Sequence, residues 1–240
     1  MKKPSLVLIL AAWTLFASAA QAKPQVLRLG LQDNPSTLDP ALASNVPAIG
    51  VSHWLYNGLV TFDSAARVVP DLAERYTVSP DGKHYTFTLR PGVRFHDGHP
   101  LTSEDVRYSL TRLLRPETKS PGASFYRAIV GAPEALDGKG QAVAGIATPD
   151  ARTVVITLSE PQPTFLQVLG LSYAAIVPKG AGEIDGFAKH PVGTGPFRLK
   201  EYVSGQRLVF ERNPYYFKAG LPKLSGVEVQ LGLNEQVEAL

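Results

Sequence analysis

The sequence predicts a mixed α/β protein, α+β in its detail, and three observations predict it. One stretch, Val69 to Leu114, runs strand, tight turn, strand, tight turn and capped helix with almost no slack between them. Within it His84-Tyr85-Thr86-Phe87-Thr88-Leu89 alternates strictly, with Tyr85, Phe87 and Leu89 on one face and His84, Thr86 and Thr88 on the other. A period of two argues a strand with one buried face. The chain also holds 20 prolines and 21 glycines in 240 residues, high for a helical bundle and suited to a strand-and-turn-rich protein.

Val26–Leu31 (VLRLGL) reads as a strand, followed by the polar loop Gln32-Asp33-Asn34-Pro35-Ser36. Ser44 or Asn45 can cap a helix that runs to about Tyr56 and that Gly58 closes. Leu59–Phe62 and Arg67–Val69 flank a hairpin-like connection at Asp63-Ser64-Ala65-Ala66. In Ser79-Pro80-Asp81-Gly82, Pro80 pre-sets φ and Gly82 can take a positive φ without steric cost, which is turn chemistry. Pro91-Gly92 and Asp97-Gly98 flank a short strand, Val93-Arg94-Phe95. Thr102 is then a good N-cap, and Asp105 three residues on can reach back to close a capping box. The helix Ser103–Leu114 carries Val106, Leu110, Leu113 and Leu114 on one stripe, and Pro116 ends it.

Further along, the sequence predicts a short helix over Ser124–Val130 and a break at Asp137-Gly138-Lys139-Gly140. Two strands, Ala142–Ala147 and Thr153–Leu158, surround Thr148-Pro149-Asp150-Ala151. Pro163–Leu169 fits a helix with proline in its first turn, and Ala174–Val177 fits a buried strand. Phe197–Val203 and Arg207–Arg212 form a hairpin around Ser204-Gly205, and Val227–Leu231 is a last strand. Asn234 resembles an N-cap, with Val237 and Leu240 beginning an apolar stripe. A helix of under two turns is marginal, so the expectation is a chain that stops short of a larger whole.

The amino terminus reads as a secretory signal peptide over residues 1–22. It has a positive start at Lys2-Lys3, an apolar core over Leu6–Phe16 and a small-residue exit at Ala20-Gln21-Ala22. Ala17-Ser18-Ala19 offers a second cleavage site, and the apolar run is too short to span a bilayer. Cleavage would remove two lysines and no acid, leaving 22 basic against 21 acidic residues. The basic balance of the whole chain therefore implies no nucleic-acid or anionic-membrane partner. There are no cysteines, hence no disulfides and no thiol chemistry.

Few residues suggest chemistry. His96-Asp97-Gly98-His99 has the residue types of a metal motif, but it sits on a turn, and His53, His84 and His190 are scattered. Gly193-Thr194-Gly195 lacks the Gly-Lys-Ser/Thr of a phosphate loop and precedes a strand, which reads as a strand-entry turn needing small residues. Neither G-x-S-x-G nor H-E-x-x-H is present, and the Glu104-Asp105 pair is explained by the first turn of a helix. A hydrolase therefore has no residues to name.

Five segments in order carry a resemblance. They are STLDP at 36–40, YNGLVTFD at 56–63, PDLAERYTVSPDGKHYTFTLRPGVRFHDG at 70–98, PLTSEDVRYSLTRLL at 100–114 and PVGTGPFRLKEYVSGQRLVFERNPYYF at 191–217. Together they resemble the extracellular solute-binding proteins of family 5, the dipeptide, oligopeptide and nickel type, which are receptors of ABC importers. The resemblance implies a periplasmic-binding-protein-like lobe with an inserted strand-rich domain and the second lobe absent. The lobe would occupy residues 23–53 and 171–240, and the insertion 54–170. It further implies a free periplasmic monomer, since the lipidated cysteine of many Gram-positive relatives is missing. Its partners would be a peptide or other small-molecule ligand and ABC permease membrane subunits, with no cofactor, metal or catalytic residue.

In that family the loop matching Asp33, Asn34, Pro35 and Ser36 lines the cleft and offers backbone groups to an extended peptide. Its place after the first strand agrees, because open α/β lobes bind ligands beyond strand carboxyl ends. Some relatives carry an acid where this chain has Asn34. Tyr173 is a second cleft candidate; Trp54 and the aromatics of Glu211–Phe217 read as packing. Nickel, haem, opine and sugar ligands remain open beside peptides, as does a truncated interaction protein that transports nothing.

Overall fold

The computed structural model describes residues 25–140 and 142–232. The predicted signal peptide and the helix predicted from Asn234 lie outside them.

The first strand joins the last three in one mixed sheet, in the order β1-β10-β9-β8. These are β1 (Val26–Leu31), β8 (Phe197–Val203), β9 (Arg207–Arg212) and β10 (Gly226–Leu231). β1 runs parallel to β10, and the other pairs are antiparallel. Its apolar face buries Leu208, Phe210, Val227, Val229 and Leu231. Its wet face carries cross-strand ion pairs, Arg28 with Glu228 at 2.9 Å and Arg198 with Glu211 at 2.6 Å. Opposite charges at facing positions hold register on a face where no packing can. The helix α1 (Val46–Leu55) lies against this sheet, contributing Val51 and Leu55 to its core.

The residues between form a second sheet, fully antiparallel, in the order β4-β5-β7-β6. Its strands are β4 (Ala73–Val78), β5 (His84–Leu89), β6 (Ile146–Asp150) and β7 (Thr153–Thr157). In β5, Tyr85, Phe87 and Leu89 are buried and their alternates are not, as the period of two predicts. The helix α2 (Ser103–Leu114) lays its stripe, Val106, Leu110, Leu113 and Leu114, over this sheet beside Tyr126, Ile156 and Phe165. Asp105 Oδ2 accepts from the Thr102 backbone N–H at 2.8 Å, closing the predicted capping box. A small hairpin, β2 (Val60–Phe62) with β3 (Val68–Pro70), precedes it, and α3 (Ala132–Leu136) and α4 (Phe165–Leu169) are short.

Four predicted elements change. Val93–Phe95 makes one bridge, Arg94 to Pro100, rather than a strand, because its buried Val93 and Phe95 plug the core beneath a turn. Ser124–Val130 shortens to a 3-10 turn at Ala123–Tyr126. β6 begins at Ile146, not Ala142, and runs on to Asp150. Ala174–Val177 is buried as predicted but is no strand. Its backbone bonds to Asn57 O (from Ile176 N, 2.9 Å) and Ser109 Oγ (from Val177 N, 2.9 Å), so an apolar run there serves as a filler between the two units.

Three polar joints tie the two sheets together. Arg112 on α2 grips Asp39, which follows β1, through both guanidinium nitrogens, the Nη1–Oδ1 bond being 3.0 Å. The two side chains are only 10% and 5% exposed. Asn57 Nδ2 donates to Asp71 Oδ2 at 2.7 Å, and Lys218 Nζ sits 2.6 Å from Asp71 Oδ1. His96, in the segment after β5, bonds to Gly193 of the turn before β8, its N–H donating to Gly193 O at 2.8 Å. That turn, Gly193-Thr194-Gly195, in turn packs onto the carboxyl end of α1, where a Cβ at Gly193 would fall 2.0 Å from Leu55 O and one at Gly195 2.3 Å from Trp54 O.

Two outcomes follow. Replacing Arg112 by Met leaves Asp39 buried without its partner, and urea denaturation should show a loss of about 3–5 kcal/mol; an Asp39→Asn, Arg112→Met double variant should lose less than the sum of the singles. Gly193→Ala should cost about 1–3 kcal/mol or more by overpacking. Gly50→Ala, in the interior of α1 with nothing within 4 Å of the new Cβ, should instead stabilise by about 0.5–1 kcal/mol.

Candidate functional site

The loop after β1 is built by one amide side chain. Asn45 caps α1 by accepting the Ala48 N–H on Oδ1 at 3.1 Å. The same oxygen accepts the Ser36 N–H at 3.0 Å, and Nδ2 donates to Asn34 O at 2.8 Å. Ser44 adds two bonds to Ser36 Oγ, from its N–H at 3.3 Å and its hydroxyl at 3.1 Å. Pro35 is buried, and Asp33, Asn34 and Ser36 are exposed. The loop is therefore fixed in shape while its outer residues face water. The cap was visible in the sequence as a choice between Ser44 and Asn45; its second task, holding a loop eleven residues away, left no local signal.

Tyr173 lies in a 3-10 turn, Ser172–Ala174, rather than at the entry of a strand. That turn packs against both Pro40–Leu42 and α1, which places it near the loop's outgoing arm. Its ring lies flat on Gly122, where a Cβ would fall 2.3 Å from the ring, and 6.3 Å centroid to centroid from Phe125. Phe125 is 49% exposed. Among the described residues no hydrogen bond or ring contact joins Tyr173 to Asp33–Ser36, so the five predicted residues are neighbours through Pro40–Leu42 and not one contact cluster. Trp54 meets Phe210 edge to face at 5.4 Å and is core.

The candidate metal motif separates. His96 is buried and bonded to backbone on both ring nitrogens, while His99 is 80% exposed beside Asp97. Among the described residues no group of three or more His, Cys, Asp or Glu is placed to hold a metal ion. A hollow of about 860 Å³ has Asp39, Arg112, Tyr108 and Phe187 on its walls, and neither Tyr173 nor residues 33–36 line it. Elsewhere burial, then the Asp39 charge, pushes the Tyr56 hydroxyl well above its ordinary pKa, and its bond to Leu38 O at 2.8 Å is purely structural. A polar cavity of about 180 Å³ between the units is lined by His53, Asn57, Asp71, Tyr216 and Lys218. Burial is the largest single influence and lowers the Lys218 pKa, but the bond and charge of Asp71, with Tyr216, together outweigh it and raise it. These groups neutralise one another and are joints, with no nucleophile poised by a base.

Comparison with known proteins agrees with this picture. The family model described as "Bacterial extracellular solute-binding proteins, family 5 Middle" matches residues 67–240. The periplasmic oligopeptide-binding protein OppA of Escherichia coli K12 is 34% identical over 210 residues, 84% of this chain and 38% of its own length. The glutathione-binding protein GsiB of Salmonella typhi is 34% identical over 213 residues, 87% of this chain and 38% of its own. The solved structure of the Escherichia coli murein tripeptide-binding protein MppA superposes with a TM-score of 0.81 at 32% identity, covering 88% of this chain and 42% of that one. The chain thus spans about 40% of the length of the relatives it matches. Matching family segments, a discontinuous sheet built from both ends of the described chain, and a rigid exposed loop after its first strand lead to one assignment: the chain belongs to the bacterial extracellular solute-binding proteins of family 5, which are binding proteins and not enzymes.

Proposed function

We propose that the chain forms the first lobe (23–53 and 171–240) and inserted domain (54–170) of a periplasmic receptor. It takes up peptides and passes them to the membrane permease of an ABC importer. Its export would use the signal peptide over residues 1–22, and it would act as a monomer. Asp33, Asn34, Pro35 and Ser36 offer the edge on which an extended peptide adds as a strand, and Tyr173 with Phe125 offers an aromatic wall beside it. Capture follows from a second lobe closing over this surface.

The observation that carries this reading is the double use of Asn45. A loop with no catalytic partner is held in a single shape while Asp33, Asn34 and Ser36 stay exposed. Pre-organisation of that kind lowers the ordering cost of binding, which is what a receptor surface needs. The names of OppA, GsiB and MppA support peptides as the ligand class.

One lobe supplies only part of the contact area, so affinity of this chain should be weaker than micromolar. An amide-resolved NMR titration with tri- and tetrapeptides reads such weak binding directly. Shifts are expected at residues 32–36 and 45–48 and at Tyr173, and Asn45→Ala should abolish those in the loop. Submicromolar binding would contradict the one-lobe reading. Shifts with nickel ions, haem or sugars, and none with peptides, would contradict the ligand class.

A further inference from the structure

His96 lies in the segment following β5, in the strand-rich unit, yet all its polar bonds cross to the first-lobe turn Gly193–Gly195. Its backbone N–H donates to Gly193 O at 2.8 Å, and Gly193 N–H donates to its Nδ1 at 3.2 Å. Its Nε2 stands 3.2 Å from Gly195 O. A carbonyl only accepts, and Nδ1 must accept from Gly193, so the imidazole is neutral with its proton on Nε2. The far side of the turn is equally committed. Gly195 N–H donates to Leu55 O at 3.0 Å, and Asn213 Nδ2 donates to Gly195 O at 2.8 Å. The turn cannot shift to accommodate a second ring proton.

We propose that His96 is an acid-released latch: protonation at Nδ1 sets donor against donor at Gly193 and frees the turn Gly193–Gly195 from the strand-rich unit. A proton can reach it, because His96 forms part of the wall of a cleft of about 490 Å³ between Lys189–Val192 and β8. The charged and titratable groups around it are Asp97 on its own segment, Lys189 and His190 on the loop before the turn, and Arg198, Lys200, Glu201 and Tyr202 on β8. Glu201 is committed to Arg207 at 2.6 Å and Arg198 to Glu211 at 2.6 Å, so Lys189 and Lys200 outnumber Asp97 around the ring, oppose a further cation there and set the latch to open only in acid.

The sign follows from burial. Desolvation first, with Arg198 adding to it, holds the folded His96 pKa down from 6.5 to about 4. The unfolded chain binds this proton near the ordinary histidine value, so the latch's contribution is fully present above that value and fades as the pH falls towards 4. Between pH 7 and below pH 4 the folding equilibrium constant should fall on the order of 100-fold on this account alone.

The test is nitrogen-detected NMR of the imidazoles of this chain from pH 7.5 to 3.5, with urea denaturation over the same range. The expected result is an Nε2–H tautomer at neutral pH, and His96 protonation in step with displacement of the Gly193 amide signal. His96→Gln should lack the part of the acid slope that wild type shows between pH 6.5 and 4, while His190→Gln keeps it. An Nδ1–H tautomer, a His96 that titrates near 6.5 with Gly193 undisturbed, or an unchanged slope in His96→Gln would each overturn the proposal. If His96→Gln does not fold, the tautomer and titration of the unaltered chain decide.

Discussion

The buried pair of Asp39 and Arg112 is the constraint on which the rest of this molecule depends. Asp39 caps the 3-10 turn Pro40–Leu42 in the segment between β1 and α1; Arg112 is on the helix that covers the other sheet. Both charges are largely withdrawn from water, so the two units are held at the separation and angle that a two-pronged bond permits. Phe187 lies under the guanidinium, 5.9 Å from centroid to charge, which closes the joint from the side of the mixed sheet's core. The Asn57–Asp71–Lys218 set and the His96–Gly193 bonds repeat the device at other points along the seam. Apolar contact alone would bind the units without fixing their geometry; directional bonds between desolvated groups fix it.

Helix α1 converts that rigidity into a shaped surface. Its amino end carries Asn45, which holds the loop over Asn34 and Ser36. Its carboxyl end supplies Leu55 O to the Gly193–Gly195 turn, where positions 193 and 195 leave no room for a Cβ. One ten-residue helix therefore connects the exposed candidate binding loop to the seam between the sheets. The loop's shape is inherited from the packing of α1 against the mixed sheet, not from its own sequence.

Local chemistry made much of this legible from the chain alone. The alternation in His84–Leu89, the capping box of Thr102 and Asp105 and the Ser79–Gly82 turn each rest on residues within a few positions of one another. What could not be read depends on distance. Arg112 meets Asp39 across 73 positions, and Gly193 meets His96 across 97, and no periodicity signals either. Ala174–Val177 misled because burial and strand formation share one apolar signature; its hydrogen-bond partners turned out to be Asn57 and a serine hydroxyl rather than a neighbouring strand. In the candidate site, the polar loop was legible from its place after a strand, whereas the contacts of Tyr173 with Gly122 and Phe125 required the fold.

If the polar seam makes the two sheets one cooperative body, their innermost amides must open together. Native-state hydrogen exchange measures this at Phe87 and Val154 in the antiparallel sheet and at Phe210 and Val229 in the mixed sheet. The expected result is a single opening free energy for all four, equal to that of global unfolding. Two separate values, with one sheet opening several kcal/mol more easily than the other, would contradict it.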